Sequence, residues 1–153
     1  MLEEKPYISN IRDSFFILHK NKLEALENLN KEDVKKIREK YFNLINIQPT
    51  KGNSKIIIDK LPLNIIEIGF INRFFPNSKY IFVNRHPCDS VLSCFLTNFQ
   101  INEAMVHFLD IKDTLNLYNE VFKLWNSYIK NLNIKFHTIK YEDIILNFDR
   151  TIS

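Results

Sequence analysis

Three short apolar runs alternate with longer amphipathic stretches, and that alternation narrows the fold more than any other feature of this chain. Lys55-Ile56-Ile57-Ile58-Asp59 is a continuous β-branched run, the pattern of a strand buried on both faces. Tyr80-Ile81-Phe82-Val83-Asn84 is a second such run, and residues 135–141 form a third. The stretches between them carry helical spacing. Residues 63–75 predict a helix ended by Pro76-Asn77, and residues 87–99 predict another opened by Pro87. Residues 114–132 predict a long amphipathic helix through Leu117, Val121, Leu124, Trp125, Tyr128 and Ile129. A further helix is expected over 142–148, while residues 100–112 fit either a short helix or a packed loop. Strands alternating with helices predict parallel βαβ units with right-handed crossovers. The expected class is therefore α/β, a parallel sheet flanked by helices.

Residues 1–54 read as mainly helical, and residues 55–153 as the βαβ core of the same domain. Ile8, Ile11, Phe15, Phe16 and the 18–23 segment give the first apolar face. A break at residues 29–33 places a fresh N-cap at Asn30, with Glu32 and Asp33 suited to the first turn. The helix after it runs through Val34, Ile37, Tyr41, Phe42 and Leu44. Residues 48–54, with Pro49 and Gly52, read as a loop. A chain of 153 residues is of single-domain length. Three parallel strands make a small sheet, so part of a larger domain is expected.

Composition removes several classes of function. Net charge is only +3, and the lysines are interleaved with glutamates and asparagines, which argues against nucleic acid as a partner. No apolar run approaches the length of a membrane span, and the charged start lacks a secretory pattern. Cys88 and Cys94 match neither a zinc nor a redox spacing, and free thiols in a cytoplasmic setting are expected. The four histidines do not cluster, so no metal is expected. There are only two glycines, Gly52 and Gly69, which excludes a glycine-rich phosphate-cradling loop within these residues.

Ligands of parallel α/β sheets bind outside the carboxyl ends of the strands. Asp59 and Lys60 follow the first predicted strand. Asn84, Arg85, Asp89 and Ser93 follow the second, and Tyr141, Glu142 and Asp143 the third. This topology brings Lys60, Arg85, Ser93 and Tyr141 to one rim. Two cations and a hydroxyl suit a phosphate or sulfate, and an aromatic beside them suits a nucleobase. Singly, each residue has a plainer reading. Lys60 suits a solvated edge, Ser93 a small packing position, and the 141–143 segment ordinary helix-start chemistry. Arg85 could pair with Asp89 for only about 0.3–0.5 kcal/mol.

These residues resemble a known family. Asp59-Lys60-Leu61-Pro62-Leu63-Asn64, Ile68-Gly69-Phe70-Ile71, Phe75-Pro76-Asn77-Ser78-Lys79, and the run from Arg85-His86-Pro87 through Ser93-Cys94-Phe95 look like the core of the sulfotransferases. The bacterial tetratricopeptide-associated and protein-tyrosine sulfotransferases are the most similar groups. Lys140-Tyr141-Glu142-Asp143-Ile144 resembles the family's tyrosine-glutamate segment, and the likeness covers roughly residues 55 to 148.

The resemblance implies a fold related to the P-loop kinases. It also implies transfer of a sulfuryl group from 3′-phosphoadenosine 5′-phosphosulfate (PAPS) to a hydroxyl on a protein tyrosine, saccharide or small molecule, with no metal. By position, Arg85 and Ser93 would hold the donor's 3′-phosphate, Tyr141 the adenine, and Lys60 would approach the sulfuryl group. Glu3 stands where an acidic general base is placed in the tyrosine sulfotransferases, against its plainer reading as part of a charged tail. A tetratricopeptide region in a longer protein is an implied partner. The family's glycine-rich 5′-phosphosulfate loop, which precedes all these motifs, is absent. A truncated domain, incomplete at the N-terminus and weak or inactive alone, is therefore expected. The rival readings are a non-catalytic αβ domain binding an adenosine phosphate or a partner, and a relative of the P-loop-like nucleotide kinases.

Overall fold

A computed structural model describes residues 7–16, 22–45 and 56–152. The chain divides into two compact units, Met1–Ser78 and Lys79–Ser153.

The described part of the first unit is helical: α1 (Tyr7–Phe16), α2 (Lys22–Glu27), α3 (Lys31–Leu44) and α4 (Ile68–Phe74). Asn30 caps α3 as expected, its side-chain oxygen accepting the Asp33 N–H at 2.9 Å. Ile8 and Ile11 of α1 bury against Ile37 and Tyr41 of α3 and Phe70 and Phe74 of α4. Tyr41, Phe42 and Phe75 meet edge to face, with centroids 5.2–6.2 Å apart. Glu67 is buried and ion-paired to Arg12, as a buried carboxylate must be. The Arg38 guanidinium donates from Nε to the Phe74 carbonyl at 2.5 Å, satisfying an acceptor that the end of α4 leaves open. Phe15, Phe16 and the 18–23 apolar positions lie outside the residues whose side chains are described.

Two expectations need correction here. The helix predicted over 63–75 is interrupted. Pro62–Ile65 forms a 3-10 turn, with the Ile66 and Glu67 N–H groups bonding three residues back, before α4 begins. Asn64 does not cap α4, because it lies inside the 3-10 turn and Glu67 is the residue before the helix. The predicted first strand is also not a strand. Its described residues have no regular pairing, and Ile56 and Ile58 are 90% and 86% exposed. A strand buried on both faces needs neighbours to take its N–H and C=O groups. Among the described residues of this unit every regular element is helical, so the run has no ladder to join.

In the second unit, β1 (Lys79–Asn84) and β2 (Lys135–Lys140) form a two-stranded parallel sheet. The pairing runs without a bulge from Lys79↔Lys135 to Asn84↔Lys140. Parallel neighbours require a crossover. Here it contains α5 (Pro87–Leu96), a 3-10 turn at Met105–Leu109, and α6 (Ile111–Asn131). The last two helices are α7 (Tyr141–Leu146) and α8 (Phe148–Ile152). The ambiguous 100–112 stretch thus holds a short 3-10 helix.

Helix α5 stops at Leu96 rather than Phe99. Thr97 turns extended, and its N–H and hydroxyl both return to the Ser93 carbonyl, at 3.1 and 2.6 Å. Helix α6 begins at the Asp110 cap, whose carboxylate accepts the Lys112 and Asp113 N–H groups at 2.8 and 3.2 Å. Its amphipathic face covers one side of the sheet. Trp125 stacks on Phe82 at 4.7 Å and meets Phe136 edge-on at 5.2 Å, and Phe122 meets Phe82 at 5.9 Å. The architecture is that of a parallel sheet flanked by helices, as the alternation predicts, with two described strands in place of three.

Trp125 is only 4% exposed and bridges both strands. Trp125→Ala is expected to destabilise the second unit by about 3–5 kcal/mol, read as a lower urea midpoint by circular dichroism.

Candidate functional site

The end of the sheet places two candidate residues in register. Asn84 pairs with Lys140, so Arg85 and Tyr141 are each the first residue beyond a paired strand end. The Arg85 guanidinium carbon lies 5.1 Å from the centre of the Tyr141 ring, a cation–π arrangement. Arg85 makes no ion pair with Asp89 among the described residues, and its Nε–H is buried without a hydrogen-bond partner. Buried donors are rarely left open. An orphaned guanidinium N–H at the carboxyl end of a parallel strand is what an incoming anion would complete.

The turn between β1 and α5 is fixed from outside itself. His86 is the N-cap of α5, at φ −50° and ψ 131°, but its side chain makes no capping bond. Its backbone N–H instead donates to the Glu142 carboxylate at 2.8 Å. That hydrogen bond, more than any other influence, lowers the Glu142 pKa, with help from its own backbone N–H and from the nearby charges of His86 and Arg85. Pro87 opens α5 at a position whose N–H would be unsatisfied in any case.

Ser93 lies two turns into α5, with an exposed side chain. The adjacent Cys94 thiol feels the charge of Arg85, although burial outweighs that attraction and raises its pKa. A cavity of about 610 Å³ runs along β2 and the helices after it, lined by residues 137–140, Asp143, Asn147, Arg150 and Thr151. It includes neither Arg85 nor Tyr141, so side-chain chemistry identifies this site, not concavity.

Lys60 belongs to the first unit, where it is exposed in a stretch without regular structure. Its neighbour Asp59 is held on both carboxylate oxygens. The Tyr41 hydroxyl donates to Oδ2 at 2.8 Å, and the Asn64 amide to Oδ1 at 3.0 Å. Burial, followed by the bond to Asp59, holds the Tyr41 phenol protonated well above the ordinary tyrosine range. Glu3 lies outside the described residues.

Of the four residues expected on one rim, Arg85 and Tyr141 meet, Ser93 follows on α5, and Lys60 does not follow a strand. Sequence reasoning misses two supports, the Glu142 latch on His86 and the Tyr41 bond to Asp59. Neither leaves a local signal, because each joins residues far apart in the chain.

Tyr41→Phe should cost about 1 kcal/mol, the size of one ordinary hydrogen bond, measured as a lower urea midpoint. The Glu142 carboxyl should titrate below the ordinary glutamate range by carbon-13 NMR. His86→Pro keeps a φ near −50° but has no N–H, and should move that titration upward. A depressed folded pKa stabilises the fold above the unfolded glutamate value, and the contribution is lost as pH falls through the folded one.

Among the described residues no group of side chains could hold a metal ion, and no helix is long and apolar enough to cross a membrane. No curated protein and no solved structure matches the chain significantly. The sulfotransferase family model matches residues 7–153, nearly the whole sequence. The chain belongs to the sulfotransferase family.

Proposed function

We propose that this chain takes part in sulfuryl transfer from PAPS to a hydroxyl acceptor, and that Arg85, Tyr141 and Ser93 receive the 3′-phosphoadenosine end of the donor. The observation that carries this reading is the Arg85 side chain. Its guanidinium stacks on Tyr141, while its Nε–H is buried and unpartnered. A 3′-phosphate would accept that N–H, and the fork of the same guanidinium offers further parallel donors. Tyr141 remains 39% exposed, leaving aromatic surface for a base beside the phosphate. Ser93 would add one hydroxyl donor from α5. The ten-residue helix α5 opens beside Arg85, and its positive dipole end favours an anion there.

In the transfer, the sulfur–oxygen bond to the donor phosphate breaks and a sulfur–oxygen bond to the acceptor forms. The hydroxyl proton passes to a base, and adenosine 3′,5′-bisphosphate leaves. Lys60 is proposed to neutralise the charge that develops on the leaving phosphate. The Asp59 carboxylate, tied to Tyr41 and Asn64, fixes the backbone from which Lys60 projects. Glu3 is retained as the proposed base from its place in the sequence.

Adenosine 3′,5′-bisphosphate should bind at least about tenfold more tightly than 5′-AMP, since a hydrogen bond to a charged group contributes about 1.5–3 kcal/mol. Arg85→Ala should abolish that preference. Equal affinities of the native chain for the two nucleotides, measured by titration calorimetry, would overturn the assignment.

A further inference from the structure

We infer that Glu142 is a positioning residue for anion capture by Arg85, acting as a latch that fastens the turn after β1 to the start of α7; this rests on the half-site reading above. Arg85 and His86 form the link between β1 and α5, and neither residue belongs to a regular element. Hydrogen bonding within the sheet ends at Asn84, and α5 begins at Pro87, which has no N–H to contribute. The His86 side chain makes no capping bond that would fix the turn. The His86 carbonyl accepts the Ser90 N–H at 3.0 Å inside α5, and on the other side of the residue the His86 N–H donates to the Glu142 carboxylate at 2.8 Å, which ties the turn to α7.

Glu142 is adjacent to Tyr141, the ring on which Arg85 stacks. Two consecutive residues of α7 therefore engage two consecutive residues of the β1–α5 turn. Tyr141 meets the Arg85 guanidinium, and Glu142 meets the His86 N–H. The cation–π contact alone is short on direction, and on an open surface it contributes only about 0.5–1 kcal/mol. The hydrogen bond supplies the missing direction, because it sets the peptide plane that follows Arg85 and hence where the buried Nε–H points. Preorganising that donor spares the ordering cost that ligand binding would otherwise meet.

Two other acidic groups nearby do not substitute. Asp89 makes no ion pair with Arg85 among the described residues. Asp143 contributes its backbone carbonyl to the turn into α8, accepting the Asn147 N–H at 2.8 Å and the Thr151 hydroxyl at 3.1 Å.

The latch needs an acceptor oxygen, not a charge, and this separates it from simple neutralisation of Arg85. Glu142→Gln keeps an oxygen that can take the His86 N–H, whereas Glu142→Ala does not. Calorimetry on the full chain with adenosine 3′,5′-bisphosphate should show binding about tenfold weaker for Glu142→Ala and within about threefold of native for Glu142→Gln. The affinity for 5′-AMP, which has no 3′-phosphate, should be the same in all three. Hydrogen exchange supplies a readout independent of ligand: the His86 amide should be protected in the native chain and in Glu142→Gln, and unprotected in Glu142→Ala. Native-like bisphosphate affinity in Glu142→Ala overturns the latch, as does Glu142→Gln binding as weakly as Glu142→Ala. A native chain that discriminates neither nucleotide while the His86 amide keeps the protection pattern overturns the half-site reading instead.

Discussion

The seam between α6 and the sheet is the constraint on which the second unit depends. Two parallel strands have little stability of their own, since parallel sheets persist when helices cover them. Here the cover is aromatic and concentrated. Trp125 stacks on Phe82 of β1 and meets Phe136 of β2 edge-on, so one side chain of α6 touches both strands. Tyr118 stacks on Phe122 at 4.4 Å and extends the seam along the helix. Val91 of α5 is the other well-buried apolar residue described in this unit, and α5 packs against α6. The opposite face of β1 shows Ile81 and Val83, which are 69% and 51% exposed. Burial of β1 is thus one-sided, and its covered face rests chiefly on α6.

Charge is managed differently in the two units. In the first, two carboxylates are held by distant partners: buried Glu67 by Arg12, and half-buried Asp59 by Tyr41 and Asn64. Those pairings tie α1 to the segment before α4, and α3 to the 59–64 loop. Removing Arg12 would leave the buried Glu67 carboxylate unsatisfied, which costs more than the bond itself contributes. In the second unit the polar contacts at the sheet end lie near solvent, and the exception is the Arg85 Nε–H. The Tyr80 hydroxyl in β1 and the Asn64 Oδ1 in the first unit are likewise buried without a partner, so the fold accepts this local cost at three described positions.

Much of this was legible in the sequence, for physical reasons that differ by element. The α3 cap at Asn30 and the long α6 face follow from short-range rules, a side-chain acceptor in reach of the next turn and a 3.6-residue spacing. Arg85 and Tyr141 lie side by side because the carboxyl ends of paired parallel strands share one edge whatever lies between them. The isoleucine run at 56–58 misled, since β-branched composition expresses a capacity to pair and the ladder requires a neighbour. Glu142 looked like ordinary helix-start chemistry, because a carboxylate in a first turn is favourable without any distant partner. Its bond to His86 joins residues 56 apart, which no local pattern encodes.

The flush ending of the two strands has an evolutionary consequence. Because Asn84 faces Lys140, Arg85 and Tyr141 are aligned by the ladder itself and not by the chain between them. Residues 97–110 can therefore lengthen, shorten or drift in composition without disturbing that alignment, provided α6 keeps its grip on the sheet. A one-residue slip of β2 would be far more disruptive, turning every side chain of the strand to the other face and carrying Tyr141 away from Arg85. Selection can thus remodel the crossover loop while the residues beyond the strand ends stay fixed, so the two parts of the unit can evolve on separate clocks.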